Sequence, residues 1–166
     1  MAIDVGRGQL HQRLRTDPRV RVHERTNIRE ADVGLLDRPA DLVVADLSFI
    51  SLRAVCGDLL RLAAPRADLV WLVKPQFEAS HAEASQNQGV IIDPAIWRRV
   101  LHAVAGTLDD HGTAIMGAMA SPLRGARGNV EFLVHARRGG HDPHGASDVR
   151  RAAMIDAAIA EAVEQR

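Results

Sequence analysis

The amino-acid sequence predicts an α/β protein built on a mostly parallel β-sheet. Apolar runs of strand length alternate with segments of helical periodicity along most of the 166 residues, which is the pattern of a parallel sheet with helical crossovers. Residues 68–74 are as continuously apolar as a strand covered on both faces requires. Farther along, two strand-like runs are joined by a Gly-rich connection without a helix, which predicts one antiparallel pair.

The first part of the chain predicts three strands, over residues 1–4, 20–23 and 41–46. Between them, we expect a short helix over 9–15, stopped by Asp17-Pro18, and a turn with a loose helix over 27–36. Residues 51–64 predict a longer helix, because apolar side chains recur at helical spacing and Pro65 follows its end.

After the strand at 68–74, residues 75–93 predict a polar loop that is long enough to be a functional flap. Pro94 opens a predicted helix over 94–111. The antiparallel strands are predicted at 113–120 and 130–138. Ser147 is a candidate cap for a last helix to about residue 165, with one apolar stripe formed by Ala152, Ile155, Ile159 and Val163. The predicted organisation is therefore a domain over 1–138, a Gly/Pro/His linker over 139–146 and a C-terminal helix over 147–166.

The bulk composition is that of a globular protein, with 46% hydrophobic and 25% charged residues. Trp71 and Trp97 are expected in the core, and the single Cys56 is expected to be a buried thiol. We see no apolar run of roughly 18 residues and no signal-peptide pattern, so a cytoplasmic location without membrane contact is expected. The eight histidines form no ligand grouping, which predicts no metal site.

The net charge is zero, which argues against a protein that coats nucleic acid through a strongly basic surface. The arginines are nevertheless uneven: residues 7–29 hold seven against two acids, and residues 121–140 hold four against Glu131 alone. These clusters are either two solvated faces or two patches that bind phosphates, and the sequence leaves both interpretations open.

Lysine is the rarest charged residue, with twenty arginines but only Lys74. A lysine ammonium can be tuned to lose its proton, whereas a guanidinium cannot. Lys74 ends a predicted strand, as Asp4 and Asp46 do, and Glu131 lies near the start of a predicted antiparallel strand. Because ligands bind at the carboxyl ends of parallel strands, we expect these four side chains on one rim of the sheet.

Three motifs resemble the TlyA-type ribosomal RNA methyltransferases, which are S-adenosylmethionine-dependent enzymes with an FtsJ-like catalytic domain. The motifs are Leu42-Val43-Val44-Ala45-Asp46-Leu47-Ser48-Phe49-Ile50-Ser51-Leu52, Leu72-Val73-Lys74-Pro75-Gln76-Phe77-Glu78, and Ala120-Ser121-Pro122 followed by Gly128-Asn129-Val130-Glu131-Phe132. They occur in the family's order, and the resemblance extends over residues 1–138.

The resemblance implies a Rossmann-like class I methyltransferase sheet and 2′-O-methylation of cytidine riboses in ribosomal RNA or ribosomal subunits. It implies that Asp46, Lys74 and Glu131 are the second, third and fourth members of a catalytic Lys-Asp-Lys-Glu tetrad. The cofactor would be S-adenosylmethionine, contacted by Asp4, which would accept its ribose hydroxyls, and by Val5, Asn27 and Asp46.

A ribose hydroxyl needs a base or a strong positive field to become a nucleophile. An unperturbed lysine is mostly charged near neutral pH, and neighbouring carboxylates favour the charged form. Lys74 is therefore either a general base, if another positive charge lowers its proton affinity, or a cation that positions the hydroxyl and stabilises oxyanion character. The sequence leaves both roles open.

The chain also departs from the family pattern. The family's first strand, its glycine-rich cofactor loop, the first tetrad lysine and an S4-type RNA-binding domain would all lie upstream of Met1, so an N-terminally truncated chain is expected. Since the first strand is central, its absence predicts a split sheet with two unpaired edges and low stability. An alternative is that Gly6-Arg7-Gly8 is itself the nucleotide loop, although His11 occupies the third glycine position.

Three functions therefore remain: a methyltransferase whose activity is impaired in this chain, a non-catalytic remnant or protein-binding fragment, and a membrane-active haemolysin. The last is the weakest hypothesis, because the C-terminal helix has no basic polar face.

Overall fold

The computed structural model describes residues 1–86, 88–139 and 146–165. Their strands are β1 (Ala2–Asp4), β2 (Val22–Glu24), β3 (Ala40–Ala45), β4 (Ala63–Val73), β5 (Thr113–Ala120) and β6 (Phe132–Arg138). Their helices are α1 (Gln12–Arg15), α2 (Leu52–Arg61), α3 (Pro75–Glu78), α4 (His81–Gln86), α5 (Pro94–Asp110) and α6 (Ala146–Glu164). Two short 3₁₀ turns, Val33–Leu35 and Ala126–Gly128, complete the described elements.

The strands form two separate sheets. Strands β1 and β2 make a parallel pair of their own, and the second sheet has the order β3-β4-β6-β5. In that sheet β3 and β4 are parallel, whereas β6 is antiparallel to both β4 and β5. The predicted α/β class, the predicted antiparallel pair and the predicted split of the sheet are all confirmed.

The split leaves a gap between β1 and β3. In the part of the chain that the structure describes, β1 pairs with β2 alone and β3 with β4 alone. A cavity of about 590 Å³ lies between the two sheets and is lined from both sides. Leu42 and Val44 of β3 border it and are 54% and 66% exposed, so apolar surface and an unpaired strand edge face the same space.

The core covers one face of the four-stranded sheet. Alternate residues of the central strands point to it, among them Leu69, Trp71 and Val73 of β4. Helices α2 and α5 pack there, and Trp97 of α5 meets Phe132 edge to face at 5.8 Å between ring centroids. Both tryptophans are almost fully buried, as the sequence predicts.

Cys56 lies in this core on α2, as the sequence predicts. Removing the thiol from water disfavours its charged form, and this burial raises the pKa of Cys56 to about 11. The side chain therefore acts as a small apolar group at neutral pH, not as a nucleophile.

The predicted boundary between α2 and β4 is wrong. The helix ends at Arg61 instead of continuing to residue 64, and β4 begins at Ala63 instead of residue 68. Ala63 pairs with Ala40 of β3, and the guanidinium of Arg138 donates to the carbonyls of Leu60 and Ala63. Arg138 thus provides hydrogen bonds for the carbonyls at the end of α2, and the pairing with Ala40 makes Ala63 the first residue of β4.

The predicted polar loop at 75–93 contains two short helices, α3 and α4, so the prediction of a loop throughout this segment is also wrong. Ser80 and Glu83 form a capping box: the Ser80 Oγ accepts from the Glu83 N–H at 3.3 Å, and Glu83 Oε2 accepts from the Ser80 N–H at 2.9 Å. The hydrogen bond from the Ser80 hydroxyl is the largest of the effects that lower the pKa of Glu83 to about 2, and Arg99 adds to it.

A buried asparagine attaches this segment to the strand that follows. The side chain of Asn129 accepts from the Ile91 N–H at 3.0 Å and donates to the carbonyls of Gly89 and Ala126 at 2.9 and 3.0 Å. One amide thus joins the segment after α4 to the turn before β6.

The predicted C-terminal helix is present as α6, which packs against β5 and α5. It begins at Ala146, so Ser147 lies inside its first turn instead of preceding it. Its buried stripe contains Ile155 and Ile159, as predicted, but the stripe continues through Ala158 and Ala162 while Val163 is 44% exposed. Residues 140–145 of the predicted linker lie outside the described residues.

The remaining predicted elements differ at their ends. Helix α1 begins at Gln12 and strand β6 at Phe132, each later than predicted, and β2 spans Val22–Glu24. Residues 27–36 contain the predicted turn, in which the Glu30 N–H donates to the Asn27 carbonyl at 2.9 Å, and their helical part is the 3₁₀ turn Val33–Leu35. Among the described helices, none is both long and apolar enough to span a bilayer.

Candidate active site

The four polar residues singled out in the sequence lie at the ends of strands, as predicted. Asp4 is the last residue of β1, Asp46 directly follows β3, and Lys74 directly follows β4. Glu131 directly precedes β6, which is antiparallel to β4. Since Val73 pairs with Phe132, the next residue of one strand and the previous residue of the other, Lys74 and Glu131, emerge at the same end of this pair.

Lys74 forms an ion pair with Asp46. The Lys74 Nζ lies 2.6 Å from Asp46 Oδ1 and donates to the Ser48 hydroxyl at 3.2 Å. The lysine side chain is only 12% exposed, whereas that of Asp46 is 66% exposed. The cation is therefore held by its partners in a partly enclosed position, and the carboxylate presents its free surface to solvent.

Glu131 lies at the same strand end as Lys74 and is buried, with 7% of the residue exposed. Its Oε1 accepts from the Gln76 Nε2 at 3.2 Å. The backbone of Gly125 lies against the same oxygen so closely that a Cβ at this position would be 2.1 Å from it. Residue 125 must therefore be glycine for the carboxylate to hold this position.

The four predicted cofactor residues, Asp4, Val5, Asn27 and Asp46, all line the cavity between the two sheets. Ile28 and Leu47 add apolar surface to its wall. The Asp4 carboxylate accepts from the Gly6 N–H at 2.6 Å, and the Asp4 carbonyl accepts from the Thr26 N–H at 3.0 Å. These bonds fix the β1 end next to the segment that carries Asn27.

The segment Gly6-Arg7-Gly8 does not have the contacts of a phosphate loop. The Gly6 N–H donates to Asp4, and the Gly8 N–H donates to Glu24 Oε1 at 2.7 Å. Two carboxylates thus occupy the backbone donors that would otherwise hold a phosphate, and their charge would repel one. This geometry argues against the nucleotide-loop alternative.

An exposed aromatic ring lies in the loop that follows Asp46. Phe49 is 91% exposed, and its φ of 62° lies in the left-handed region that non-glycine residues rarely adopt. Its ring lies 5.1 Å from that of Phe77, which follows Lys74 on α3. A large apolar side chain held in a strained conformation at the rim is a feature of a binding surface.

The arginines of residues 121–140 are bonded within the chain. Arg124 donates to the Gln165 carbonyl, Arg127 to the Gln88 carbonyl, and Arg138 to the end of α2, whereas Arg137 pairs with Asp68. In the first cluster, three pair with acids, namely Arg15 with Glu24, Arg19 with Asp17 and Arg21 with Asp37. These contacts within the chain favour the interpretation as a solvated face for the second cluster and for part of the first.

Sequence reasoning did not find Ser48 and Gln76, the partners of Lys74 and Glu131. Both lie within the motifs that carry the resemblance, two residues after Asp46 and Lys74 respectively. Their position could have marked them as neighbours of the site, but their contacts depend on how the two loops meet.

A strand-end lysine and carboxylates next to a cavity in an α/β protein are the arrangement that the sequence predicts for a Rossmann-like methyltransferase. The FtsJ-like methyltransferase family matches residues 1–138, and the chain belongs to this family. It is 47% identical over 137 residues to the 16S/23S rRNA (cytidine-2′-O)-methyltransferase TlyA of Mycobacterium tuberculosis, covering 82% of this chain and 51% of that protein. It is 39% identical to YqxC of Bacillus subtilis, named as an rRNA methyltransferase, with coverage of 87% and 51%. The chain thus spans about half the length of the curated relatives it matches.

A solved structure has the same fold. A protein named as a hemolysin from Streptococcus thermophilus superposes with a TM-score of 0.85 at 32% identity, over 99% of this chain and 59% of that one. The resemblance to the TlyA-type family and the Rossmann-like fold class are therefore confirmed. The individual roles of the site residues stay predictions.

Proposed function

We propose that this protein is an S-adenosylmethionine-dependent methyltransferase acting on the 2′-hydroxyl of cytidines in ribosomal RNA. The observation that carries the proposal is the Lys74–Asp46 ion pair at the strand ends, beside a cavity lined by Asp4 and Asn27. The names of the relatives support the substrate, since those of Mycobacterium tuberculosis and Campylobacter jejuni both specify rRNA cytidine 2′-O-methylation.

The chemistry of the cavity fits an adenosine cofactor. Asp4 provides a carboxylate that accepts hydroxyl protons of a ribose, and Asn27 provides an amide for the edge of a base. Ile28 and Leu47 provide apolar contact for the ring. When bound there, S-adenosylmethionine would supply the electrophilic methyl group.

Lys74 acts as a cation in this proposal, not as a base. Its ammonium donates to Asp46 and Ser48, so both partners hold the cation at the strand ends. A charged donor at this position orients the 2′-oxygen of the target and stabilises the negative charge that develops as the hydroxyl proton leaves. In this proposal the carboxylate of Asp46, which is 66% exposed, takes that proton and passes it to solvent.

Phe49 contributes a surface for the target nucleotide. A nucleobase taken out of its helix needs an aromatic or apolar partner, and stacking contributes roughly 1–3 kcal/mol per base. The Phe49 ring is exposed, and it belongs to the loop that begins at Asp46. The base would therefore lie on the ring while its ribose faces Lys74.

The proposal is tested by two measurements on the same chain. Calorimetric titration should give saturable binding of S-adenosylmethionine, and a radiolabelled methyl group should transfer to isolated ribosomal subunits. Replacing Lys74 by Arg retains the charge but misplaces it, and replacing Asp46 by Asn breaks the ion pair. Each should lower the transfer rate by on the order of 10²-fold.

Asp41→Asn is the matched control for Asp46→Asn. Asp41 lies at the other end of β3 and is also an exposed carboxylate paired with a cation, Arg38. Its loss should leave transfer unchanged. Near wild-type transfer by Asp46→Asn or Lys74→Arg would refute the assigned roles. A folded chain that neither binds the cofactor nor transfers a methyl group would refute the proposed function and favour a non-catalytic, protein-binding role.

A further inference from the structure

We propose that Glu78 is a positioning residue that holds Lys74 and Asp46 in register, by joining the two chain segments that carry them. The inference rests on the proposed function only for the importance it gives to this ion pair. The geometry itself is independent of the reaction.

The Glu78 carboxylate is the most highly bonded acidic group near the site. Its Oε2 accepts from the Ser51 hydroxyl at 2.6 Å and from the Arg53 Nε at 3.1 Å, and its Oε1 accepts from the Leu52 N–H at 2.5 Å. The Arg53 guanidinium also donates to the Glu78 carbonyl at 3.0 Å. Only 2% of the glutamate side chain is exposed, so water does not compete with these donors.

The contacts join two different loops. Ser51 and Leu52 end the loop that starts at Asp46, and Glu78 ends the single helical turn, α3, that starts after Lys74. Asp46 and Lys74 thus begin two short connections. The far ends of these connections are joined by the carboxylate of Glu78. We therefore expect a shift of either loop to move the Lys74 Nζ relative to Asp46 Oδ1.

The groups around the Glu78 carboxylate are hydrogen-bond donors and a positive charge. Helix α2 begins at Leu52, so Glu78 lies at the N-terminal end of the helix, where backbone N–H groups favour a negative charge. The Arg53 side chain provides a second positive group on the same helix. A neutral amide at position 78 would have to place an NH₂ group against one of these donors, so it cannot reproduce the junction.

A purely structural role would have a different consequence. If Glu78 only stabilised the fold, its replacement would lower the midpoint of unfolding without changing the surroundings of Lys74 in the molecules that remain folded. If Glu78 positions the ion pair, the surroundings of Lys74 change in the folded state.

The composition of the chain permits a direct measurement. Because Lys74 is its single lysine, ¹³C labelling of lysine gives one Cε signal for the folded protein. Asp46→Asn calibrates the shift of this signal when the ion pair is lost. We expect Glu78→Gln to move the signal in the same direction in a protein that still unfolds cooperatively.

Glu83→Gln is the matched control. Glu83 also accepts from a serine hydroxyl, a backbone N–H and an arginine, but its partner Ser80 directly precedes α4 and its partner Arg99 lies in α5. Its loss should leave the Lys74 signal at the wild-type position. Should Glu78→Gln not fold, Ser51→Ala removes one hydrogen bond to Glu78 and Arg53→Met removes two, and each should move the signal by a smaller amount in the same direction.

The inference is overturned if the Lys74 signal of a folded Glu78→Gln protein coincides with that of the wild type, or if Glu83→Gln moves it equally. If the fallback variants are needed, an unchanged signal in both has the same meaning. None of these readings requires methyl transfer, so a failure of the proposed function remains a separate result. In an active enzyme, Glu78→Gln should lower kcat on the order of 10²-fold with little change in KM for the cofactor, because it misplaces the reacting groups without touching the cavity.

Discussion

At the scale of the residue, the candidate site residues can be predicted from the sequence, but their hydrogen-bond partners cannot. Lys74, Asp46 and Glu131 could be proposed because each lies at the end of an apolar run, and strand ends meet at one edge of a sheet. Ser48, Gln76 and Glu78 could not, because a hydrogen bond between two loops depends on how the loops pack. The local sequence contains no periodicity that reports such contacts.

Phe49 provides a prediction at this scale, because its backbone strain and its ring are separable. Phe49→Ala removes the ring and retains a Cβ at a φ of 62°, whereas Phe49→Gly removes both. Since glycine adopts the left-handed region freely, the glycine variant should be more stable than the alanine variant by about 1 kcal/mol in urea unfolding.

Both variants should lose affinity for ribosomal RNA by a similar factor, measured by filter binding, because both lack the stacking surface. Equal stability of the two variants would show that the strain has no cost, and unchanged RNA affinity would exclude Phe49 from the binding surface.

At the scale of the element, the bounds of a helix or strand can be predicted where local turn and capping residues mark them. They cannot be predicted where contacts with distant residues determine them. Strand β5 and helix α5 are bounded by glycine, proline and capping residues, and their predicted limits agree with the structure to within a residue. The end of α2 is different, because the apolar alanines at 63 and 64 continue its helical spacing. Arg138, far along the chain, determines where that helix stops. The helix α4 was missed although its capping box, Ser80-His81-Ala82-Glu83, is present in the sequence.

The junction formed by Asn129 gives a prediction for two elements at once. Asn129→Ala leaves the Ile91 N–H and the carbonyls of Gly89 and Ala126 without their partner, and each net hydrogen bond contributes about 1 kcal/mol. We expect a loss of about 3 kcal/mol in the free energy of unfolding, measured with urea.

Asn129→Asp keeps the acceptor for Ile91 but presents oxygen to both carbonyls, so it should also be destabilising. A loss well under 1 kcal/mol in Asn129→Ala would mean that solvent replaces these bonds and that the junction is not rigid.

At the scale of the whole molecule, the two sheets should differ in stability. Among the described residues, β1 and β2 form three residue pairs with each other and none with the larger sheet, and an isolated two-stranded sheet is marginal in water. Strands β4 and β6 are paired on both sides and cover the core.

Hydrogen exchange followed by mass spectrometry should therefore detect early exchange of residues 2–4 and 22–24 and late exchange of residues 69–73. Saturating S-adenosylmethionine should slow exchange in the segment around Asp4 and Asn27, because a ligand that binds the folded segment stabilises it against local unfolding. Equal protection of both sheets without ligand would contradict this division.

The gap between the sheets also affects how copies of the protein meet one another in solution. The open edge of β3 presents unpaired backbone groups, and Leu42 and Val44 add exposed apolar surface beside it. The β3 edge of a second copy can pair with these backbone groups and cover these apolar side chains at the same time. Handling at high concentration therefore favours strand-to-strand association, and any segment or ligand that occupies the gap acts as a protectant against aggregation as well as a part of the site.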